Sequence, residues 1–137
     1  MSNIAVIYWS GTGNTEAMAQ AVLKGAGAGA QLFSVSDFDA AKLDAFDAFA
    51  LGCPAMGSEA LEDGEFEPFF DSVKDKLAGK KVALFGSYGW GDGEWMRSWE
   101  ESCADAGITL AADSVICNDA PDDEALEACK ALGAALV

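Results

Sequence analysis

Short apolar runs alternate with amphipathic stretches along the whole chain, a rhythm of strand and helix. Ile4-Ala5-Val6-Ile7-Tyr8 predicts a first, buried strand. The helix after it carries Met18, Ala21, Val22 and Gly25 on one face, and Gly25-Ala26-Gly27-Ala28-Gly29 reads as its stop and the following loop. Gln31 to Val35 is short and partly alternating, as an edge strand is. Asp37 and Asp39 can cap a short, weak helix running to Leu43. Ala48-Phe49-Ala50-Leu51 is a third, apolar strand ending at Gly52-Cys53-Pro54.

The next helix has the clearest pattern, with Phe66, Phe69, Phe70, Val73 and Leu77 forming one apolar stripe. Val82-Ala83-Leu84-Phe85-Gly86 predicts a fourth strand, and a helix from about Gly93 aligns Trp95, Trp99 and Cys103. Ile108 to Leu110 and Ser114 to Cys117 make a fifth strand, with a break at Ala112-Asp113. The last helix starts after Pro121, a residue suited to a first helical position, and turns Leu126, Cys129, Leu132 and Leu136 inward. Strands alternating with helices imply an α/β fold: a parallel sheet covered on both faces, with ligands at the carboxyl ends of its strands. With 137 residues and no linker or repeat, residues 1–137 are expected to be a single domain.

Charge narrows the functions. Eight basic against 23 acidic residues leave a net charge of −15, the wrong sign for nucleic acid or an anionic membrane. Partners with basic docking surfaces fit it, through electrostatic steering. The absence of histidine removes the commonest general base at neutral pH, so the chain is poorly equipped for acid–base catalysis. Cys53, Cys103, Cys117 and Cys129 form no C-x-x-C pair and are expected to be reduced and mostly buried. No apolar run is long enough to span a bilayer, and no basic segment with an apolar core opens the chain, so cytoplasm is the default compartment.

The chemistry starts at Ser10-Gly11-Thr12-Gly13-Asn14-Thr15, between the first strand and the first helix. A helix N-terminus supplies unpaired N–H groups and the positive end of its dipole. Ser10, Thr12 and Thr15 add hydroxyl donors, and no Lys or Arg stands between Met1 and Gln20. A triphosphate-binding loop needs Gly-Lys-Ser/Thr where Gly13-Asn14-Thr15 stands, and the glycine spacing does not match a dinucleotide fingerprint. A lone phosphomonoester held by neutral donors remains.

The same loop resembles the FMN-phosphate loop of flavodoxins, whose pattern is Ser/Thr-x-Thr-Gly-x-Thr. Gly52-Cys53-Pro54-Ala55-Met56-Gly57-Ser58-Glu59 and Gly86-Ser87-Tyr88-Gly89-Trp90-Gly91 resemble that family's two flavin-flanking loops, in the right order. The resemblance runs over essentially the whole chain and is greatest to short-chain flavodoxins of anaerobic bacteria. It implies a three-layer, doubly wound, five-stranded parallel sheet of order 2-1-3-4-5, and non-covalent FMN. The cofactor-contacting set it implies is Trp9, Ser10, Gly11, Thr12, Gly13, Asn14, Thr15, Pro54, Ala55, Met56, Gly57, Ser58, Glu59, Ser87, Tyr88, Gly89, Trp90, Gly91 and Asn118. The isoalloxazine would lie between Met56 and Trp90, with Glu59 accepting from ring N3–H. Backbone groups of Gly89 and Gly91 would meet the pyrimidine edge, and Ser87 and Asn118 the ribityl chain or its surroundings.

Gly57 would turn its carbonyl toward N5 and stabilise the neutral semiquinone, a peptide conformation that favours glycine. An apolar pocket in an acidic chain disfavours the anionic reduced flavin, so the second potential is expected to be low. The implied function is a monomeric, low-potential one-electron carrier, not an enzyme. It would shuttle between semiquinone and hydroquinone, serve ferredoxin-linked oxidoreductases and stand in for ferredoxin. A two-electron quinone or flavin reductase on the same fold is the alternative. A phosphorylation-receiver domain fails, because its acidic pair and phosphoacceptor positions hold Tyr8-Trp9 and Gly52-Cys53, and its lysine position holds Asn118-Asp119.

Overall fold

The computed structural model describes residues 3–11, 13–56, 61–89 and 93–137. Five parallel strands form one sheet: β1 (Ile4–Tyr8), β2 (Ala30–Ser34), β3 (Ala48–Gly52), β4 (Lys81–Tyr88) and β5 (Val115–Asn118), in the order β2-β1-β3-β4-β5. The helices are α1 (Asn14–Ala26), α2 (Phe66–Val73), α3 (Glu94–Asp105) and α4 (Asp123–Ala134). Strand order, parallel pairing and layering agree with the expectation. The order changes direction between β1 and β3, which opens a crevice at the carboxyl end of the sheet.

Alternation along the strands sorts the core into two unlike halves. Ile4, Val6, Ala48, Ala50, Ala83 and Phe85 face α1 and α4, and several of these are alanines. Ala5, Ile7, Phe49, Leu51, Val82 and Leu84 face the other way, onto Phe66, Phe70, Trp95 and Trp99 of α2 and α3. On that side aromatic rings meet edge to face, including Phe33–Phe38, Phe38–Phe69 and Phe66–Trp99 at centroid separations of 5.2, 5.8 and 5.4 Å.

Several boundaries differ from the sequence reading. Gly25 lies inside α1, where a β-carbon would overlap the backbone carbonyl of Lys130 on α4. Gly133 makes the reciprocal approach to the backbone of Val22 and Ala26. The glycine run is therefore a packing device before it is a stop, and the stop falls at Gly27, with φ 86°.

The weak helix after Asp37 is a 3₁₀ turn, Ala40–Ala45, which Asp39 caps by accepting from Ala41 N–H at 2.9 Å. The aromatic stripe spans α2 and a further 3₁₀ turn, Lys74–Lys76; both spacings keep Leu77 buried. Pro121 stands before α4, not in it. Asp122 is the cap, its carboxylate accepting from Ala125 N–H at 2.8 Å. The break in the fifth strand is real: Leu110 makes an isolated bridge to Val82, and β5 resumes at Val115.

Candidate functional site

A cavity of about 250 Å³ opens where the sheet order switches, and loops following β1, β3, β4 and β5 line it. Its walls are Trp9, Gly11, Asn14, Pro54, Ala55, Met56, Ser87, Tyr88, Gly89 and Asp119. The sequence reading named all of these but Asp119 as contacts. Thr12, Gly57, Ser58, Glu59, Trp90 and Gly91, also named, lie outside the described residues.

The first wall is the start of α1. Gly13 caps the helix with φ 94°, in the left-handed region that other residues reach only at a cost. Its N–H donates to Ser10 Oγ at 3.0 Å, which leaves the Ser10 hydroxyl proton free to be given outward. Helix geometry leaves the N–H groups of Asn14, Thr15 and Glu16 without an intrahelical partner. Thr15 is 1% exposed, and its Oγ1 is buried without a hydrogen-bond partner. Trp99 Nε1 is similarly orphaned, but in the aromatic core. Of these two, Thr15 combines the orphaned group with a helix N-terminus. A phosphate accepting from Thr15 and the first-turn amides would satisfy these groups together. The residues present fit a cofactor phosphate held by neutral donors.

The second wall continues β3. Trp9 N–H donates to Gly52 O at 3.0 Å, Cys53 N–H to Phe85 O at 3.2 Å, and Ala55 N–H to Ser87 O at 3.0 Å. These bonds carry the sheet's pairing into the loop and bring Pro54, Ala55 and Met56 to the cavity. Cys53 anchors the wall from below: its carbonyl accepts from Trp95 Nε1 at 3.1 Å, and its sulfur accepts from Glu62 N–H at 3.4 Å. Burial pushes the Cys53 thiol up to about 12, so it stays protonated and inert as a nucleophile. All four cysteines are free thiols, as expected.

Two carboxylates outside the expected contact set, Glu62 and Glu65, hold this wall to the rest. Glu62 is 9% exposed and accepts from Gly64, Glu65 and Phe66 N–H at 2.7, 2.7 and 2.9 Å, closing the start of α2. Glu65 accepts from Trp9 Nε1 at 3.3 Å, tying the first wall to the second. Burial raises the Glu62 carboxyl, but the bonds from Phe66, Glu65 and Gly64 outweigh it and hold it below its usual 4.5.

A carboxyl lowered on folding stabilises the fold above the unfolded value, and that contribution is lost as pH falls through the lower folded value. Thermal melts from pH 7 to 3 are therefore expected to show Glu62→Gln about 1–2 kcal/mol less stable at neutral pH, with the gap closing below about pH 4.5. A constant gap would contradict this role.

The third wall is the end of β4, clamped by the turn after β5. Ser87 Oγ donates to Asp119 O at 2.6 Å, and Asn118 Nδ2 donates to Tyr88 O and Gly89 O at 3.3 and 3.4 Å. Asn118 thus supports the rim and is not among the lining residues. Tyr88 leans on Trp95, ring centroids 5.5 Å apart. Asp119 escaped the sequence reading because its place depends on this turn. The Asn-Asp pair ahead of Pro121 was the available signal, since these residues tolerate a left-handed backbone.

The flavodoxin family profile matches residues 6–133. The chain belongs to the flavodoxin family. It is 48% identical over 135 residues to a flavodoxin of Megasphaera elsdenii, covering 96% of each chain. It is 48% identical over 121 residues to one of Clostridium beijerinckii, covering 86% of this chain and 88% of that one. A solution structure of the two-electron-reduced Megasphaera elsdenii flavodoxin superposes with a TM-score of 0.88 over 97% of each chain. Flavodoxins are FMN-carrying electron-transfer proteins and not enzymes. The neutral-donor loop after β1 is in keeping with that cofactor, and no described helix is long and apolar enough to cross a membrane.

Proposed function

We propose that the chain is a single-domain, low-potential one-electron carrier that holds FMN non-covalently and passes electrons between redox proteins. The observation that carries this reading is the orphaned, buried Thr15 hydroxyl in the first turn of α1, next in sequence to Asn14 of the cavity lining. FMN, when bound, supplies electron transfer in single steps; the chain supplies the surroundings. Ser10, Asn14, Thr15 and the first-turn amides bind the phosphate, with Gly11, Thr12 and Gly13 shaping the loop. Trp9, Pro54, Ala55, Ser87, Tyr88 and Gly89 enclose the cavity, and Asn118 braces its rim. Met56 and Trp90 would hold the flavin ring between them, Glu59 would accept from its N3–H, and Ser58 and Gly91 would complete the two flanking loops.

Gly57 would offer its backbone carbonyl as a hydrogen-bond acceptor at the N5 edge of the flavin. Gly57→Val is accordingly expected to lower the first reduction potential by about 40 mV, the equivalent of one hydrogen bond of roughly 1 kcal/mol. Spectroelectrochemical titration reads this directly, and an unchanged first potential would remove the role.

With a net charge of −15, the carrier suits basic docking surfaces on ferredoxin-linked oxidoreductases in the cytoplasm, where it works as a monomer in place of ferredoxin. The test is electron delivery to a ferredoxin-dependent oxidoreductase, with the FMN-loaded chain as sole carrier. Turnover should be supported and should fall several-fold between 50 and 500 mM salt. Absence of turnover at low salt would overturn the assignment.

A further inference from the structure

The Trp9 indole is held at both ends. Its Nε1, on the five-membered ring, donates to Glu65 Oε1 at 3.3 Å. The opposite edge covers Gly11: a β-carbon there would stand 3.1 Å from Cη2 and 3.3 Å from Cζ3 of the six-membered ring. Trp9 follows β1 directly, with its N–H fixed on Gly52 O at 3.0 Å, and Gly11 belongs to the loop before α1. Glu65 is anchored in turn. Its N–H donates to Glu62 Oε1 at 2.7 Å, and its carbonyl accepts from Phe69 N–H at 3.2 Å. The Glu65 side chain is exposed and makes no capping bond to α2, so truncating it costs the helix no cap.

We propose that Glu65 is a positioning residue for the cofactor phosphate, acting through Trp9. By fixing the indole across Gly11, it keeps the loop before α1 in its phosphate-accepting form before FMN arrives. The inference rests on the FMN reading above. A released indole can turn about its side-chain torsions and leave Gly11, which has no side chain of its own to restrain the loop. The loop must then be ordered as FMN binds, and that ordering subtracts from affinity. The bond from the indole needs an acceptor oxygen and not a charge, whereas the charge of Glu65 can only repel a phosphate. The two contributions have opposite signs, and substitution separates them.

Three substitutions test this. Glu65→Ala removes acceptor and charge together, Glu65→Gln removes the charge and keeps an acceptor oxygen, and Trp9→Phe removes the indole N–H. The cofactor-free, full-length chains are titrated with FMN and with riboflavin, the same flavin without its phosphate, and Kd is read from flavin fluorescence. Glu65→Ala is expected to bind FMN about threefold more weakly, the low end for one exposed hydrogen bond, with riboflavin binding unchanged. Glu65→Gln should bind FMN at least as tightly as the parent. Added to Trp9→Phe, Glu65→Ala should cause no further loss, because the donor is already gone. Equal losses for FMN and riboflavin would make Glu65 a brace for the cavity as a whole, and tighter FMN binding by Glu65→Ala would leave only its charge; either result overturns the proposal. A parent chain that fails to take up FMN would instead defeat the reading of the site, and this inference with it.

Discussion

Thr15→Val is expected to stabilise the cofactor-free protein while weakening its hold on FMN. In the free protein the Thr15 hydroxyl is buried with no partner, a state that costs about 1–3 kcal/mol; valine has nearly the same shape and nothing to leave unsatisfied. The melting temperature without FMN should therefore rise or hold. In the complex the lost group is a donor to a charged phosphate, and such bonds contribute about 1.5–3 kcal/mol, or ten- to a hundredfold in Kd. Opposite signs in the two states separate a binding role from a packing role. Titration of FMN fluorescence together with melts of the cofactor-free form checks both. A variant less stable without FMN and unimpaired in binding would mean that Thr15 belongs to the core alone.

Gly133→Ala is expected to lower stability by about 3 kcal/mol, roughly 10 °C in melting temperature for a chain of this size. The sign goes against helix propensity, by which alanine is about 1 kcal/mol better than glycine within a helix. Packing decides it. A β-carbon at Gly133 would overlap the Val22 carbonyl and come within 2.8 Å of Ala26 N, and both are backbone atoms that cannot rotate aside. The helices α1 and α4 would have to separate, and Ala48, Ala50 and Ala83 beneath them are too small to fill the gap. Circular-dichroism melts suffice. A variant as stable as the parent would show that the two helices do not approach so closely.

Most of the fold can be read in the sequence because its signals are local. A parallel sheet buried on both faces needs continuous apolar strands, and Ile4 to Ile7, Ala48 to Leu51 and Val82 to Phe85 supply them. The phosphate loop is legible for the same reason: its hydroxyls, glycines and helix start lie within six consecutive residues, Ser10 to Thr15.

What escaped depends on contacts between distant parts of the chain. Gly25 reads as a helix stop until α4 is laid against it. Glu62 and Glu65 carry no local signal of their roles, yet one accepts from the first N–H of α2 and the other from the Trp9 indole. Asp119 acquires its place only when the turn after β5 is bound to Ser87 and Tyr88, 32 residues away for the first of these. The last helix does start after Pro121, but Pro121 is not its first residue: the neighbouring Asp122 offers a carboxylate to Ala125 N–H and takes the cap, so α4 begins at Asp123.

The most direct test of the account is the visible spectrum of the purified, FMN-loaded protein during stepwise anaerobic reduction. A one-electron carrier of this kind should pass from yellow through a long-lived blue intermediate, accumulating over most of the first equivalent, before bleaching at a much lower potential. Yellow bleaching straight to colourless, with no intermediate at any potential, would contradict one-electron transfer and leave two-electron reductase chemistry in its place.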